Sequence, residues 1–446
     1  GQVLRCTAAG VVGDDKTDWC LYPGDHLDEC VLWGLIAKGC HVLVSGRPGS
    51  GKSHLLQRFL QQCKQQTRLR YQACATTALA ATTIHSPTLH HVLGLGLADH
   101  HPEDLLLAIQ TQPRNYHRAV TFLTKIQLLI VDEISMMSPR LFSCIDFLCR
   151  RLRCDQAPFG GMQLVMFGDF TQLGPVRRPE EQTKFVFQTA CWARMSLYRV
   201  ILERSFRQDA TGAFCMLLDS VRTGCVSPAH HNLLQTRRVD HGLGPVVLPL
   251  RAAVKKHNTV ELETQRSRGA LIYTFTPFIT VEHSRRPSKT VSQSLEYEIG
   301  SETRLENRFG VHTLQVCESA RVLLLSNVIS GVCNGSIGTV LRVLPDTIVV
   351  VFDVCATVVT IRRHRFRSSF RPTVEITLDQ FPLTLAWAMT IHRVQGMTLP
   401  TIQIDLCGCF TAGQAYVALS RVRRLEDVYL LGLPANFSPI VDDDAV

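Results

Sequence analysis

The sequence predicts an α/β protein built on a parallel sheet, because three short apolar segments are each followed by a polar turn. The first segment is HVLVS (His41–Ser45), which precedes a glycine-rich turn and a helix of amphipathic spacing. The second is QLLIVDEISMM (Gln127–Met137), and the third begins MQLVMFGDFTQLGPV (Met162–Val176). Continuous apolar runs of this length are typical of strands buried on both faces of a parallel sheet.

The turn after the first segment, GRPGSGKS, fits the phosphate-binding pattern G-x-x-x-x-G-K-S. Its glycines let the backbone curl so that successive N–H groups and the positive end of the next helix face phosphate oxygens. Lys52 supplies a movable cation for those oxygens, and the Ser53 hydroxyl is placed to bind Mg²⁺. We therefore predict a nucleotide site formed by Gly46, Pro48, Gly49, Ser50, Gly51, Lys52, Ser53 and His54.

An acidic pair, Asp132 and Glu133, ends the second apolar segment. Ligands of parallel sheets bind beyond the carboxyl ends of the strands, which is the edge where the phosphate loop also lies. We therefore predict that Asp132 holds Mg²⁺, commonly through water, and that Glu133 polarises the attacking water. Gln172, after the third segment, is expected to reach the γ-phosphate, and Arg207 in ILERSFRQ is a further candidate.

The composition argues against a membrane protein and favours a polyanionic partner. Of the 446 residues 46% are hydrophobic, but no apolar run approaches the roughly 18 residues that a membrane span needs. The net charge of +9 is moderate for a nucleic-acid-binding protein. The 17 cysteines lack the paired spacing of a zinc site, and several lie in apolar segments, so we expect reduced thiols and no metal cluster.

The segments before and after the phosphate loop show less regular hydrophobic periodicity. Residues 1–24 carry few periodic hydrophobics, and we expect them to be a loosely held leader. LDECVLWGLIAKG is predicted to form an amphipathic helix that ends at Gly39. The stretch Ala73–Leu97 is rich in threonine and carries His90 and His91. It suits hydrogen bonding to a phosphate backbone, and a threonine-rich strand end with a solvated loop is the alternative.

In their order along the chain, these segments resemble the superfamily 1B DNA helicases of the petite integration frequency type, the PIF-type helicases, which are related to RecD-like helicases. The resemblance covers about residues 27–433 and includes NGSIGTV, FPLTLAWAMTIHRVQGMTL and GQAYVALSRVRRLEDVYLL. The last two motifs are the most specific, because a single-domain ATPase has no need of them.

The resemblance implies two RecA-like P-loop motor domains with ATP in the cleft between them. The first would occupy residues 25–200, with a small wedge insert at about 90–120. The second would comprise residues 201–265 and 381–446. A β-rich insert similar to the family's SH3-like module would occupy residues 266–380, where RVLLLSN, GSIGTVLRVL and TIVVVFD are short β segments separated by Asn-Gly and Pro-Asp turns.

The same resemblance implies roles for single residues. Arg421 matches an arginine that the family places against the γ-phosphate from the second motor domain, and Arg207 matches another. Gln395 and Gly396 would face the nucleotide. Six residues match the family's strand-contacting motifs and would bind DNA: Thr77, Thr88, His90, Thr390, His392 and Arg393.

The implied activity is that of an ATP-dependent DNA helicase, which uses ATP and Mg²⁺ to move 5′ to 3′ on single-stranded DNA and to unwind duplex or fork DNA in replication, repair or recombination. A nucleotide-gated nucleic-acid-binding scaffold without productive unwinding is the alternative, against which the intact catalytic set argues. We expect a monomer without membrane attachment, with DNA and replication or repair proteins as partners. We expect a nuclear location, with the mitochondrion or a viral replication site as alternatives.

Four positions depart from the family pattern. The glutamine that commonly contacts adenine before the first motor helix has Cys30 as its nearest equivalent, which leaves adenine selectivity open. Arg393 replaces the commoner lysine and keeps the charge, with the added ability to grip a phosphate bidentately. His85 and Ser86 stand where glycines are common, so the local backbone is expected to differ.

The densest basic run, RRHRFRSSFR at Arg362–Arg371, is interleaved with Phe366 and Phe370. Such a run is usually a solvated face of the protein. The competing interpretation is an added contact to single-stranded DNA that combines cations with base stacking.

Overall fold

The computed structural model describes residues 2–7, 10–13, 27–94, 101–114, 116–175, 183–203, 212–283, 312–326, 332, 334–353, 358–371 and 374–445. The chain forms two compact units. The first unit consists of Gly1–Leu243 and Ile391–Val446, and the second unit of Gly244–Thr390. In the described part of the chain no helix is long and apolar enough to cross a bilayer.

A seven-stranded sheet forms the centre of the first unit, in the order β2-β1-β7-β3-β6-β5-β4. Its strands are β1 Gln2–Thr7, β2 Gly10–Gly13, β3 His41–Gly46, β4 Tyr71–Ala75, β5 Leu128–Asp132, β6 Gln163–Gly168 and β7 Leu197–Leu202. All neighbouring strands are parallel except β1 and β2. The predicted α/β class with a parallel sheet is confirmed, and the carboxyl ends of β3 and β5 lie at one edge of it.

The first residues of the chain differ from the predicted loose leader. Gln2–Thr7 pairs in parallel with β7, and Gly10–Gly13 folds back onto it as an antiparallel strand. The local pattern could not show this, because these strands depend on an open sheet edge supplied by residues almost 200 positions away. Backbone hydrogen bonding at that edge, and not hydrophobic periodicity, determines the structure of the segment.

Helices cover both faces of this sheet. The helices that precede the second unit in the chain are α1 Leu27–Ala37, α2 Lys52–Gln65, α3 Ala78–Thr83, α4 Leu89–Leu93, α5 Pro102–Thr111, α6 His117–Lys125, α7 Pro139–Arg153, α8 Ala190–Ala193, α9 Ala213–Thr223 and α10 Pro228–Gln235. Helices α1 and α2 pack on one face, where Val42 and Val44 point, and α4 to α7 pack on the other, where Leu43 points. The alternation of the strand side chains thus divides the core into two layers.

The second unit is mainly antiparallel. Its elements are β8 Val246–Leu248, α11 Arg251–Ser267, β9 Tyr273–Phe275, β10 Phe278–His283, β11 Leu314–Val316, β12 Arg321–Leu324, β13 Ile337–Val343, β14 Thr347–Phe352, β15 Val358–Arg362, β16 His364–Arg371, β17 Val374–Gln380, β18 Leu383–Leu385 and β19 Ala388–Thr390. Strands β15-β14-β13-β12-β18 and β10-β17-β16 form two antiparallel sheets. Gly335 turns the chain before β13 with φ +90°, at the predicted Asn-Gly turn. The predicted β segments are confirmed, while the identity of this insert as an SH3-like module stays a prediction.

The remaining elements belong to the first unit. They are α12 Ile391–Val394, β20 Ile402–Asp405, α13 Gln414–Leu419 and β21 Val428–Gly432. Strands β20 and β21 pair in parallel, and the Val239 N–H donates to the Leu430 carbonyl beside them. The wedge identity of the segment that contains α5 and the predicted motor-domain boundaries stay predictions.

The cysteines that the structure describes are free thiols. Several of them lie in the core, where burial raises the pKa of Cys63 to about 12 and that of Cys144 to about 11. These thiols are chemically quiet, because the thiolate is the reactive form.

Candidate nucleotide-binding site

The phosphate loop leaves the sheet at Gly46, where there is no room for a side chain. A Cβ at this position would lie 2.6 Å from the Ser50 Oγ and 2.7 Å from the Leu202 carbonyl oxygen. Gly49 and Gly51 adopt φ of +82° and +89°, which favour glycine. The loop glycines are therefore required by the backbone path that leads into α2.

Lys52 is the first residue of α2, and its ammonium group lies over the loop. The Nζ donates to the Arg47 carbonyl oxygen at 2.9 Å and also to that of Gly46. Ser50 is 3% exposed, and its Oγ has no hydrogen-bond partner among the described residues. A buried hydroxyl without a partner costs free energy, so the loop fits a ligand that supplies acceptor oxygens.

The acidic pair lies where the sequence predicts it. Asp132 ends the buried strand β5, and its Oδ1 accepts from the Glu133 N–H at 2.9 Å. Glu133 adopts φ +54°, a left-handed conformation that costs free energy in a non-glycine residue. Thr76 fixes this turn, because its Oγ1 donates to the Glu133 carbonyl at 2.7 Å and its N–H to that of Asp132 at 3.1 Å.

Burial raises the pKa of both carboxyl groups. For Asp132 the charge of Glu133 adds to the effect of burial, and the Lys52 ammonium opposes it. For Glu133 the charges of Lys52 and Arg421 oppose the rise in pKa that burial causes. The structure thus brings a loop cation, two carboxyl groups and the predicted arginine into one electrostatic cluster.

Arg421 is 1% exposed and is held by hydrogen bonds within the first unit. Its Nε donates to the Val417 carbonyl at 2.6 Å, and its two other nitrogens donate to the Ser420 Oγ at 2.6 Å and the Met397 carbonyl at 3.3 Å. These contacts fix the guanidinium between α13 and the turn that follows α12. A buried arginine held by backbone oxygens keeps its full charge for a further anion.

Gln395 joins the cluster from that same turn. It is buried, and its Nε2 donates to the Glu133 Oε2 at 3.3 Å. Gly396 follows with φ +82°, which lets the chain reverse direction there. Gln395 therefore lies beside the acidic pair, and Gly396 is its neighbour in the chain.

Gln172 lies near the site, but its side chain has a protein partner. Its Nε2 donates to the Asp169 Oδ2 at 3.3 Å. The main-chain carbonyl oxygen of Gln172 lies so close to Gly413 that a Cβ at that glycine would be only 2.6 Å from it. The loop after β6 therefore packs closely against the start of α13. The predicted contact of Gln172 with a γ-phosphate stays a prediction.

Sequence reasoning missed Asp169. This carboxylate is 5% exposed, accepts from the Thr171 N–H and Oγ1, and contributes to the raised pKa of Glu133. The sequence contains a signal for Asp169, because this residue follows the apolar segment of β6 in the same way that Asp132 ends the apolar segment of β5. The prediction for GDFTQLGPV rests on Gln172 alone.

The other residues predicted to lie near the nucleotide differ in exposure. Ser53 and His54 are exposed on the first turn of α2, and Pro48 is half-buried in the loop. Arg207 lies outside the described residues. Cys30, the nearest equivalent of the family's adenine-contacting glutamine, is exposed on α1.

The oxygen donors of this site fit Mg²⁺. An exposed hydroxyl, Ser53, and a buried carboxylate, Asp132, match an ion that is usually held by one or two carboxylates together with substrate phosphates. Within the described residues no group of three or more His, Cys, Asp or Glu side chains could hold a metal ion by itself. Phosphate oxygens and water molecules would complete the coordination.

The threonines among the predicted DNA contacts have structural partners. The Thr77 Oγ1 accepts from the Ala80 N–H at 3.2 Å, and the Thr88 Oγ1 accepts from the His91 N–H at 3.4 Å as the N-cap of α4. His90 is half-buried in α4, and Thr390 ends β19 in the second unit. His392 and Arg393 are exposed on α12.

One departure from the family pattern lies at an uncommon backbone conformation. His85 adopts φ +50°, in the left-handed region that favours glycine. The histidine accepts the cost of that conformation, which is of order 1 kcal/mol or more.

The run Arg362–Arg371 forms the end of β15 and all of β16, and we call it the basic strand. The guanidinium of Arg363 lies 4.8 Å from the centre of the Phe278 ring and donates to the Thr276 carbonyl at 3.0 Å. Arg365 binds both carboxylate oxygens of Asp379, at 3.0 Å and 2.8 Å. The side chains of Arg367 and Phe370 lie outside the described residues.

A parallel sheet with a phosphate loop at its carboxyl edge, an acidic pair on the next strand but one, and a buried arginine beside that pair define a P-loop nucleotide-binding protein. The family model described as PIF1-like helicase matches residues 28–229. Over these residues the chain is similar to the PIF1-like helicases, as its motifs suggested.

Relatives match over nearly the whole chain. The chain is 31% identical over 427 residues to the ATP-dependent DNA helicase PIF1 of Homo sapiens, which covers 93% of this chain and 61% of the relative. It is 29% identical over 425 residues to the protein of that name from Xenopus laevis, covering 93% of this chain and 62% of the relative. The chain thus spans about three-fifths of the length of these relatives.

Solved structures of Pif1 helicases are also similar to this chain. The crystal structure of Pif1 helicase from Candida albicans has a TM-score of 0.77 and 26% identity, covering 95% of this chain and 98% of that one. Bacteroides sp Pif1 in complex with ADP-AlF4 has a TM-score of 0.69 and 27% identity, covering 94% of both chains. The likeness extends across both compact units.

Proposed function

We propose that this chain is an ATP-dependent DNA helicase that hydrolyses ATP with Mg²⁺ and moves 5′ to 3′ along single-stranded DNA to unwind duplexes. The observation that supports this most strongly is the cluster of Lys52, Glu133 and Arg421. Two of these residues come from the first motor motifs and the third from the last one, 369 positions after Lys52 in the chain.

Each residue has a role that its position allows. Lys52 would turn from the Gly46 and Arg47 carbonyls to the phosphate oxygens, where its charge is better compensated. Glu133 would orient and deprotonate the attacking water, and Arg421 would stabilise charge on the γ-phosphate. Asp132 and Ser53 would hold Mg²⁺, which neutralises charge on the phosphates when bound.

The similar proteins support the DNA partner. Relatives are named ATP-dependent DNA helicases, one solved Bacteroides Pif1 is bound to single-stranded DNA, and another structure concerns unwinding at forked duplex DNA by two coordinating Pif1 helicases. We propose single-stranded and forked DNA as the substrates of this chain as well. The predicted monomer, the replication or repair partners and the nuclear location stay predictions.

A single-turnover unwinding assay tests the proposal. Duplexes with either a 5′ or a 3′ single-stranded tail are mixed with the chain, and ATP is added with an excess of trap DNA. We expect strand separation only from the 5′-tailed duplex, and none with Lys52→Ala. Binding of both substrates without unwinding of either would favour the nucleotide-gated scaffold, and unwinding from the 3′ tail would contradict the polarity.

A further inference from the structure

The side chain of Arg47, the second residue of the phosphate loop, is bonded to α9. Its Nη1 lies 2.7 Å from the Asp219 Oδ2 and donates to the Cys215 Sγ at 3.6 Å. The Asp219 Oδ1 also lies 3.6 Å from the Arg222 Nε, so one carboxylate faces two guanidinium groups. The side chains of Arg47 and Asp219 are 40% and 30% exposed. This half-buried ion pair therefore joins the loop to a helix that no sequence motif connects with it.

Helix α9 is itself held by core packing. It packs against α13, and a slot of only about 10 Å³, enough for about one water molecule, remains between the two helices and the loop. Pro48 of the loop, Leu218 of α9, and Tyr416 and Ser420 of the α13 segment line this slot, and the last three are buried. Helix α9 therefore offers a fixed support for the side chain of Arg47.

The main chain of Arg47 takes part in the internal bonding of the loop. Its carbonyl oxygen accepts from the Ser50 N–H at 3.1 Å and from the Lys52 Nζ at 2.9 Å. When Lys52 turns to the phosphates, as the proposed function requires, the second of these bonds is lost. The two left-handed glycines of the loop offer little resistance to a change of backbone conformation. The bonds to Ser50 and Asp219 then remain to hold residue 47 in place.

We propose that the ion pair of Arg47 and Asp219 is a positioning contact that keeps the phosphate loop in the conformation that binds nucleotide. This inference rests on the proposed function. The apparent Kd of a ligand rises as the fraction of protein in the binding conformation falls. Loss of the pair lowers that fraction and weakens the binding of ATP and ADP alike. Hydrolysis of bound ATP depends on Glu133 and Arg421 and is not affected.

The test neutralises each partner, in Arg47→Gln, in Asp219→Asn and in the double variant. Calorimetry gives the Kd for Mg-ADP, steady-state hydrolysis with saturating oligo-dT gives KM and kcat for ATP, and the melting temperature checks folding. We expect each single variant to raise the Kd for Mg-ADP and the KM for ATP about three- to fivefold, with kcat changed less than about twofold. The double variant should match the single variants, because all three lose the same contact.

Arg321→Gln is the matched control. Arg321 forms an ion pair with Asp353 in the second unit, and the two side chains are 31% and 42% exposed, close to the values of the proposed pair. This variant should leave the Kd for Mg-ADP and the KM for ATP unchanged. Salt gives a further readout, because it screens half-exposed charges. The ratio of the Kd of Arg47→Gln to that of the wild type should therefore fall towards one as the salt concentration rises.

Tighter binding of Mg-ADP by Asp219→Asn would overturn the inference, because Arg47 would then be a phosphate ligand that Asp219 restrains. Unchanged binding in both single variants, or additive losses in the double variant, would overturn it as well. If Arg47→Gln misfolds, Asp219→Asn breaks the same pair from the side of α9, and the same rise in Kd is expected. A wild-type chain that binds Mg-ADP but does not hydrolyse ATP would overturn the proposed function and not this inference.

Discussion

The nucleotide cluster of the first unit and the basic strand of the second unit hold their charges in opposite ways. Arg421 is 1% exposed and is bound by carbonyl and hydroxyl oxygens, next to carboxyl groups whose pKa burial raises. Arg365 has a side chain that is 57% exposed, and its bidentate bond lowers the pKa of Asp379. The charges of the nucleotide cluster are buried, which costs free energy, while those of Arg365 and Asp379 are paired at the surface.

This difference indicates where ligand chemistry lies. Buried charges are expensive, and strongly perturbed groups in a cluster mark functional sites more often than chance. Exposed ion pairs contribute about 0–1 kcal/mol and are screened by salt. We therefore assign catalysis to the first cluster, and the structure favours the solvated-face interpretation for Arg365 in the basic strand.

The largest effect is expected at Arg421. Lysine keeps the charge, but it cannot donate to Val417, Ser420 and Met397 in the same planar arrangement, so Arg421→Lys should lower kcat for ATP hydrolysis about 10³-fold. Steady-state hydrolysis at saturating oligo-dT measures this. Arg424→Lys, which alters an exposed arginine bonded to Asp427, is the control and should change kcat little. Similar losses in both variants would remove the distinction between buried and exposed arginines.

The next largest effect is a loss of folding stability at low pH, which we expect from the buried residue His41. His41 starts β3, its Nδ1 accepts from the Leu164 N–H at 3.1 Å, and burial lowers its pKa to about 4. Since the unfolded chain binds this proton near pH 6.5, the contribution to stability is complete above that pH. It is lost as the pH falls towards 4, by up to about 3 kcal/mol.

Chemical denaturation between pH 4 and 7 measures this loss. In His41→Gln the free energy of unfolding should fall less steeply over that range than in the wild type. Parallel pH curves would show that this imidazole is not held neutral by burial.

Arg393 should contribute to DNA binding. Removal of one phosphate-contacting cation reduces the salt dependence of binding, so Arg393→Ala should lower the slope of log Kd against log salt by about one. Fluorescence anisotropy with a labelled oligo-dT at several salt concentrations measures the slope. An unchanged slope would exclude Arg393 from the DNA-contacting surface.

The smallest effect is expected at the basic strand. Because Arg365 is already paired with Asp379, Arg365→Ala should leave the salt slope unchanged and the DNA affinity within about twofold. The same anisotropy assay serves, with Arg393→Ala as the positive comparison. A slope reduced by about one would place this strand in the DNA path instead.

The sequence predicted those parts of the site that depend on local pattern. Gly46–Ser53 and the pair Asp132 and Glu133 were found because a strand, a turn and a helix follow each other within a few residues. The strand pairing of Gln2–Thr7 and the buried role of Asp169 were missed, because both depend on partners supplied by the folded sheet.

Contacts between distant segments were predicted only by resemblance. The motif of Arg421 placed it against the γ-phosphate, whereas the hydrogen bond between Gln395 and Glu133, 262 positions apart, was not predicted at all. No local periodicity carries such information, since side-chain contacts of this kind depend on how the whole chain packs.

The affinity for Mg-ADP with and without aluminium fluoride tests most directly whether the buried cluster stabilises phosphoryl transfer. Such a complex mimics the transition state, so the wild-type chain should bind it at least about 100-fold more tightly than Mg-ADP alone, and Lys52→Ala should lose that gain. Equal affinities of the wild-type chain for the two ligands would contradict the account.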